Sequence, residues 1–219
     1  ALGQGSLETN TTASNNTAVG YQAGYANTTG TENVAVGAFS LDTNTTGGHN
    51  TAIGTYALGD QTTGSSNAAV GRQALKFNTT GSQNTALGRE ALNRNTTASS
   101  NTAVGYQAGY ANTTGINNTA VGWSAAKAIT TGTRNVALGY AALDADTLGS
   151  KSTALGYSAL GVQNFTSATD TYNTAVGFEA GKAVTTGIYN TLIGGLAGDA
   201  LTDADYNVAI GGNALGANT

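Results

Sequence analysis

The five residues Asn16-Thr17-Ala18-Val19-Gly20 decide how this chain folds, because the same phrase returns at a fixed distance along the sequence. We call the last residue of each phrase the anchor glycine and number every repeat from it. Eleven of the twelve steps between the thirteen anchors are 17 residues long, and one step is 21 residues long. Such a period is typical of arrays in which each repeat forms one turn. The anchors are Gly3, Gly20, Gly37, Gly54, Gly71, Gly88, Gly105, Gly122, Gly139, Gly156, Gly177, Gly194 and Gly211.

Each repeat carries small and aliphatic residues at constant distances from its anchor. The residue before the anchor is Val, Ile or Leu in all thirteen repeats, and the residue before that one is Ala in twelve of them. Thr, Asn, Gly and β-branched residues recur where a helix would need helix formers, so the pattern predicts short strands separated by turns. The chain has no Asn-Gly dipeptide, which favours parallel coils over a series of tight hairpins.

The columns together predict an all-β fold, a parallel β-solenoid of about thirteen 17-residue coils with two strands in each coil. The first strand ends at the anchor, and the second lies near the Ala-Leu pair or the Thr-Thr-Gly segment. In turns such as Asn27–Gly30 we expect Gly to supply a positive φ. The recurring Asn predicts a ladder of amide hydrogen bonds between coils. We expect residues 1–219 to form a single repeat array, a fragment of a longer chain, with a four-residue insertion within 160–173.

The adjacent Ala18 and Val19 point to opposite sides of a strand, and both are apolar. A strand with this pattern is expected to be buried on both faces. One face can point into the coil, whereas the other needs a second apolar surface, which a thin coil does not supply. We therefore expect several chains to associate. The alternative is a monomer in which the small Ala face lines the outside.

Composition and charge argue against several classes of function. The eight Lys and Arg residues are scattered in a chain of net charge −4, which does not favour a nucleic-acid interface. The chain has no Cys and no apolar run as long as the roughly 18 residues of a membrane helix. His49 is the single histidine, and the acidic groups Asp144/Asp146 and Asp199/Asp203/Asp205 are expected to be solvated turns. We predict no enzyme activity, no catalytic residues, no cofactor and no metal site.

The aromatic residues at variable positions are the candidates for ligand binding, since exposed rings stack on sugars or serve as protein contacts. The alternative is that the rings cover the edges of coils. The Thr pairs also suggest a remote alternative, an ice-binding solenoid, although adjacent Thr28 and Thr29 point to opposite sides. The candidate ligand-binding residues are Tyr21, Tyr25, Tyr106, Tyr110 and Trp123.

The phrase Asn-x-Ala-[Val/Ile/Leu]-Gly-x-x-[Ala/Ser], seen for example in 101–108, resembles the head repeats of YadA-type trimeric autotransporter adhesins and the repeats of phage tail-fibre proteins. The resemblance implies a left-handed β-roll, a homotrimer, and a rigid fibre segment used in attachment to a host or a surface. Its expected location is a virion or the extracellular surface of a bacterium. Other fibre or virion proteins and a host cell-surface glycan are the implied partners. The alternative function is the glycan-binding head of a bacterial adhesin.

Overall fold

The computed structural model describes residues 1–216, so the last three residues of the predicted array, 217–219, lie outside it. The chain divides into two compact units, which we call unit 1 (Ala1–Thr114) and unit 2 (from Gly115 onward). Each unit is a parallel β-solenoid, and the described residues contain no helix. The all-β class and the parallel solenoid predicted from the repeat are therefore confirmed.

Every strand of unit 1 is three residues long and ends one residue before an anchor glycine. Its strands are β1 (Thr17–Val19), β2 (Val34–Val36), β3 (Thr51–Ile53), β4 (Ala68–Val70), β5 (Thr85–Leu87) and β6 (Thr102–Val104). Consecutive strands pair in parallel with equivalent residues opposite each other, as Ala52 is opposite Ala69. Leu2 adds a single parallel bridge to Val19.

Unit 2 follows the same plan with one addition. Its strands are β7 (Thr119–Val121), β8 (Val136–Leu138), β9 (Gly149–Ser150), β10 (Thr153–Leu155), β11 (Thr169–Asp170), β12 (Thr174–Val176), β13 (Thr191–Ile193) and β14 (Val208–Ile210). β9 and β11 pair with each other and leave β8, β10 and β12 as neighbours in the main ladder. The prediction of two strands in each coil is thus wrong for most of the described coils. The second strand forms only beside the insertion, and elsewhere turns take its place.

The interior of each coil is narrow and is filled by small side chains. In the coil of Gly54, the buried residues include Ala52, Ala57, Leu58 and Gln61, each of them 0% exposed. A coil of 17 residues encloses too little space for several large apolar side chains, which explains why two of the inward columns hold mainly Ala. The Ala-Leu pair, near which the sequence analysis expected a second strand, thus lies in the interior.

The outward face of the strands is partly exposed in a single chain. In β3 the central Ala52 is buried, whereas Ile53 points outward and is 39% exposed. The same alternation occurs in the other three-residue strands, because successive side chains point to opposite sides. A single chain therefore buries one face of the strand and not both. Ala lies inside the coil, so the expectation of an Ala face on the outside is wrong, while the association of chains stays a prediction.

The predicted asparagine ladder is present. Asn67 donates its backbone N–H and its side-chain Nδ2 to Oδ1 of Asn50, at 3.0 and 3.2 Å, and its own Oδ1 accepts the backbone N–H of Asn84 at 2.9 Å. A second ladder, which the sequence analysis missed, runs seven residues after the anchors. There Asn95 Nδ2 donates to Asn78 Oδ1 at 2.8 Å. Buried amides that bond to their equivalents in the next coil satisfy polar groups that are costly to bury unpaired.

Two separate constraints, the backbone conformation and the next coil, require glycine at the anchor position. At Gly54 φ is +130°, a conformation that is essentially restricted to glycine. In addition, a Cβ at Gly54 would lie 2.7 Å from the carbonyl oxygen of Gly71 in the next coil. The coils thus approach each other closely along the column of anchors.

The glycines of the Asn-Thr-Thr-Gly turns do not supply the positive φ that the sequence analysis predicted. Gly30 and Gly47 are not in the positive-φ region. A Cβ at Gly30 would instead collide with the carbonyl oxygen of Gly47 and with Oδ1 of Asn27. Close packing of coil on coil, and not turn conformation, excludes side chains at this position.

The turns contain a further regularity that the sequence analysis missed. Non-glycine residues adopt the left-handed αL conformation two and four residues after the anchor and five residues before it, as in Gln73 (φ 61°), Leu75 (φ 50°) and Ser66 (φ 60°). None of the non-glycine residues that the described chain places there is Val, Ile or Thr. β-Branched residues are the least tolerated in this conformation. Their absence from three columns of a Thr-rich chain could have predicted the αL conformation at these positions.

We predict that Gly54→Ala destabilises the protein by at least about 2 kcal/mol, because the new Cβ meets both a forbidden backbone conformation and the next coil. The free energy of unfolding by urea measures this loss. Gly59→Ala is the matched control in the same coil: its nearest atom would be the Tyr56 carbonyl oxygen at 3.4 Å, which is ordinary contact. Equal losses in the two variants would contradict the close approach of the anchors.

We also predict that Gln73→Thr lowers the free energy of unfolding by about 1–2 kcal/mol, since a β-branched residue is forced into the αL conformation. Thermal and urea unfolding provide the measurement. Gln73→Gly should be neutral or stabilising relative to Gln73→Thr. Arg72→Thr is the control, because the backbone of Arg72 lies outside the αL region. If both Thr variants behave alike, the αL column is not a constraint on the sequence.

Candidate functional site

The outward strand face is formed by the residues one and three positions before each anchor. The first column is always aliphatic and remains accessible, with Val70 37%, Leu87 38% and Leu138 44% exposed. The second column contains only Thr, Val and Ala in the described strands. No charged residue lies on this strand face, although the chain carries twelve acidic and eight basic residues. Each unit therefore presents an uncharged and partly apolar surface that repeats in every coil.

Unit 2 carries a column of stacked rings one residue after the anchors, which we call the aromatic column. It consists of Trp123, Tyr140, Tyr157 and Phe178, which are 45 to 56% exposed. Neighbouring ring centroids lie 4.7, 5.0 and 5.2 Å apart, and the rings are nearly parallel. The in-register stacking of parallel strands, about 4.8 Å apart, places equivalent side chains at this distance. Along this column the rings cover each other's faces and present mainly their edges.

A second set of rings, which we call the tyrosine column, lies five residues before the anchors of unit 2. It consists of Tyr172, Tyr189 and Tyr206, whose centroids are 5.0 and 4.9 Å apart. The three side chains are 43, 42 and 72% exposed. Lys151 lies at the end of the column, with its Nζ 4.8 Å from the Tyr172 ring centroid and 2.7 Å from the Tyr172 hydroxyl oxygen.

The candidate ligand-binding residues occupy different environments. Tyr21 is exposed and meets the Phe39 ring edge-on at 5.2 Å. The guanidinium groups of Arg89 and Arg94 lie over the rings of Tyr106 and Tyr110, at 5.6 and 5.3 Å, which is cation–π geometry.

Tyr25 is half-buried, and Trp123 belongs to the aromatic column. Four of the five candidates belong to unit 1 and Trp123 belongs to unit 2. Several of their ring faces are already covered by rings or guanidinium groups of the same chain. Whether any of the five residues binds a ligand stays a prediction.

The insertion of unit 2 is fastened to the coil beneath it. Phe165 is 6% exposed, and Lys151 Nζ forms an ion pair with Asp170 at 2.6 Å. The segment Thr166–Ala168 is exposed. The insertion therefore presents a short polar tip on a fixed base.

Asp146, which we expected in a solvated turn, is instead buried beneath the insertion. Its Oδ2 accepts Gln163 Nε2 at 2.7 Å, and its Oδ1 accepts the backbone N–H of Gly149 at 3.0 Å. Burial raises the pKa of the Asp146 carboxyl, while these hydrogen bonds oppose the rise. Asp146 occupies the position of the second asparagine ladder, and it ties the insertion to the interior of the coil.

The described residues contain a single histidine, at the surface of unit 1. His49 is exposed and lies 3.2 Å from Glu32, on the surface as expected of a solvated turn. Within residues 1–216 no enclosed cavity is present, and no three His, Cys, Asp or Glu side chains lie together as metal ligands would. No helix in this range has the length and hydropathy needed to cross a membrane.

Asp42 of unit 1 is the acidic group whose titration the fold changes most clearly. Burial raises the pKa of its carboxyl to about 6, and the nearby carboxylate of Asp60 adds to the rise. Lys76 opposes it. The folded state thus holds the Asp42 proton more tightly than the unfolded chain, whose ordinary value is 3.8.

We predict that Asp42 makes the protein more stable below about pH 4 than above about pH 6, because the folded state binds a proton that the unfolded chain releases in this range. Its contribution is lost as the pH rises through the two pKa values. Urea unfolding across this range measures the effect. Asp42→Asn, which resembles the protonated form, should remove this part of the pH dependence and unfold at higher urea than the original protein at pH 7. Parallel pH profiles for the two proteins would contradict the raised pKa.

Comparison of the chain with known protein families, with curated proteins and with solved structures gives no significant match.

Proposed function

We propose that this chain is a structural fibre segment, in which about thirteen coils of a left-handed β-roll associate as a homotrimer. Its role is to act as a rigid shaft in a phage tail fibre or a surface adhesin, outside the cell or on the virion, and so to serve attachment to a host. The left hand, the number three and the biological setting come from the resemblance of the repeat to adhesin heads and tail fibres. The association itself is supported by the strand face.

The observation that carries the proposal is the contrast between the columns. The residue before the anchor is aliphatic in every repeat and yet partly exposed, as in Ile53 and Leu138. The column after the anchor accepts Arg72 and Arg89, and the column five residues before it accepts Glu32 and Arg134. If all three columns faced water, the same freedom of substitution would be expected in each. A constant aliphatic column on an uncharged face is the pattern of a surface that is covered.

Covering this column would contribute a favourable free energy to association. Aliphatic side chains such as Ile53, Val70 and Leu87 are already about three-fifths buried in the single chain. Removing the rest from water contributes about 1 kcal/mol per coil. About ten coils would then contribute on the order of 10 kcal/mol per chain, against which stands the entropy lost on association.

The glycan-binding adhesin head remains the second candidate because rings of both units are exposed, Tyr21 and Trp123 at 45% each. Sugars stack on ring faces, however, and along the aromatic column these faces are occupied by neighbouring rings. Glycan-array binding that is lost in Tyr21→Ala and in Trp123→Ala would favour this candidate. A blank array would favour a passive shaft.

We predict that the double substitution Val70→Lys and Leu87→Lys converts the trimer to monomers, because it places two charges on the apolar strand face. Native mass spectrometry and light scattering at micromolar concentration count the chains. The control is Thr63→Lys with Thr80→Lys, which places the same two charges on exposed turn residues one coil apart. Circular dichroism confirms that the variants keep their β-structure.

An unmodified protein that is monomeric at micromolar concentration would overturn the trimer. A dimer would retain the covered strand face but reject the number three. Trimers that persist in the strand-face variant and dissociate in the control would place the contact on a different column.

A further inference from the structure

We propose that the stacked tyrosines of unit 2 are sites of oxidative cross-linking, at which a one-electron oxidant such as a peroxidase with hydrogen peroxide joins rings of successive coils by a carbon–carbon bond. The pairs are Tyr140 with Tyr157, Tyr172 with Tyr189, and Tyr189 with Tyr206. The product at each pair is dityrosine. The proposal is independent of the fibre function, because it needs only the stacking within one chain.

The geometry of the pairs brings two phenols together without any rearrangement of the backbone. Tyr189 and Tyr206 have ring centroids 4.9 Å apart at an interplanar angle of 5°, and Tyr140 and Tyr157 are 5.0 Å apart at 6°. Dityrosine forms between the ring carbons next to each hydroxyl. In an in-register stack these carbons of one ring lie beside the same carbons of the next, so two radicals formed there meet as neighbours.

The rings are accessible to an oxidant and have room to turn. Tyr189 and Tyr206 are 42 and 72% exposed, and Tyr140 and Tyr157 are 45% exposed each. Bond formation requires the parallel rings to rotate edge to edge, which buried rings could not do. The column five residues before the anchors also holds Glu32, His49 and Arg134 in other coils, so it is a column that tolerates solvent.

The reaction is balanced with hydrogen peroxide as the oxidant. Each tyrosine loses one electron and its phenolic proton, and the two radicals couple through one carbon of each ring. The hydrogens on those two carbons then move to the phenol oxygens, which restores both aromatic rings. Hydrogen peroxide takes up the two electrons and two protons, and it leaves as two molecules of water.

Such a bond would supply what this chain cannot obtain from disulfides. The sequence contains no Cys, so no thiol chemistry can join one coil to the next. A bond between Tyr189 and Tyr206 closes a loop of one repeat and prevents the last coils from separating. Cross-links of this kind limit the conformations of the unfolded chain, as disulfides do.

The chain also contains a matched pair that cannot react. In unit 1, Tyr56 stacks on Phe39 with centroids 4.9 Å apart at 4°, which is the geometry of the tyrosine pairs with one hydroxyl missing. Phe does not form a phenoxyl radical under these conditions. The pair of Phe39 and Tyr56 is therefore an internal control for stacked rings that lack a second phenol.

The experiment treats the native protein with horseradish peroxidase and limiting hydrogen peroxide and then analyses tryptic peptides. Cleavage after Arg134, Lys151 and Lys182 gives peptides 135–151, 152–182 and 183–219. A bond between Tyr189 and Tyr206 appears as the loss of two hydrogens within 183–219. The bonds of Tyr140 with Tyr157 and of Tyr172 with Tyr189 join neighbouring peptides. The characteristic fluorescence of dityrosine gives the total yield.

The double variant Tyr157→Phe with Tyr189→Phe keeps every ring and removes one phenol from each pair. We expect it to lose the links within the chain, whereas Tyr56→Phe should leave them unchanged. Oxidation of the urea-unfolded protein should not reproduce the native set of links. The proposal is overturned if the double variant cross-links as well as the original protein. It is also overturned if all dityrosine joins different chains on a denaturing gel, or if native and unfolded proteins give the same links.

Discussion

The close approach of successive coils along the anchor glycines is the constraint on which the rest of the structure depends. A methyl group at Gly54 would press on the backbone of Gly71, and other anchors between Gly3 and Gly194 stand in the same relation to the next coil. The absence of side chains here lets the coils come close enough for the strands to pair in parallel with equivalent residues opposite each other. Every residue consequently lies next to its equivalent one repeat away, and a column of the sequence becomes a physical column in each unit.

The residue type of each column follows from the stacking of equivalent side chains on one another. Amides can stack in this way because each one donates to and accepts from its neighbour, as Asn50, Asn67 and Asn84 do in the interior. Aromatic rings stack by their faces, and small aliphatic side chains pack in a narrow core. Like charges would repel at such a spacing, which is consistent with a chain in which only 9% of the residues are charged.

Much of the outward surface could be predicted from the sequence, because variable positions in a repeat tolerate solvent. The placement of Trp123, Tyr140 and Phe178 in an exposed column was predicted correctly. Their mutual stacking was not, because the spacing within the sequence does not say which face of a ring is covered. The burial of Asp146 was also missed, since its partner Gln163 lies in the adjacent coil and beside an insertion that breaks the period.

The sequence by itself determined the period, the strand class and the position of the anchors, whereas the structure decided that the Ala column points inward. The first three features follow from residue type and spacing, which are local properties. Only the tertiary structure decided that most coils have a single strand, that three columns adopt the αL conformation, and that Gly30 is required by the next coil and not by its own turn. These outcomes depend on atoms one repeat away, and the contact between coils that imposes them exists only after the chain has folded.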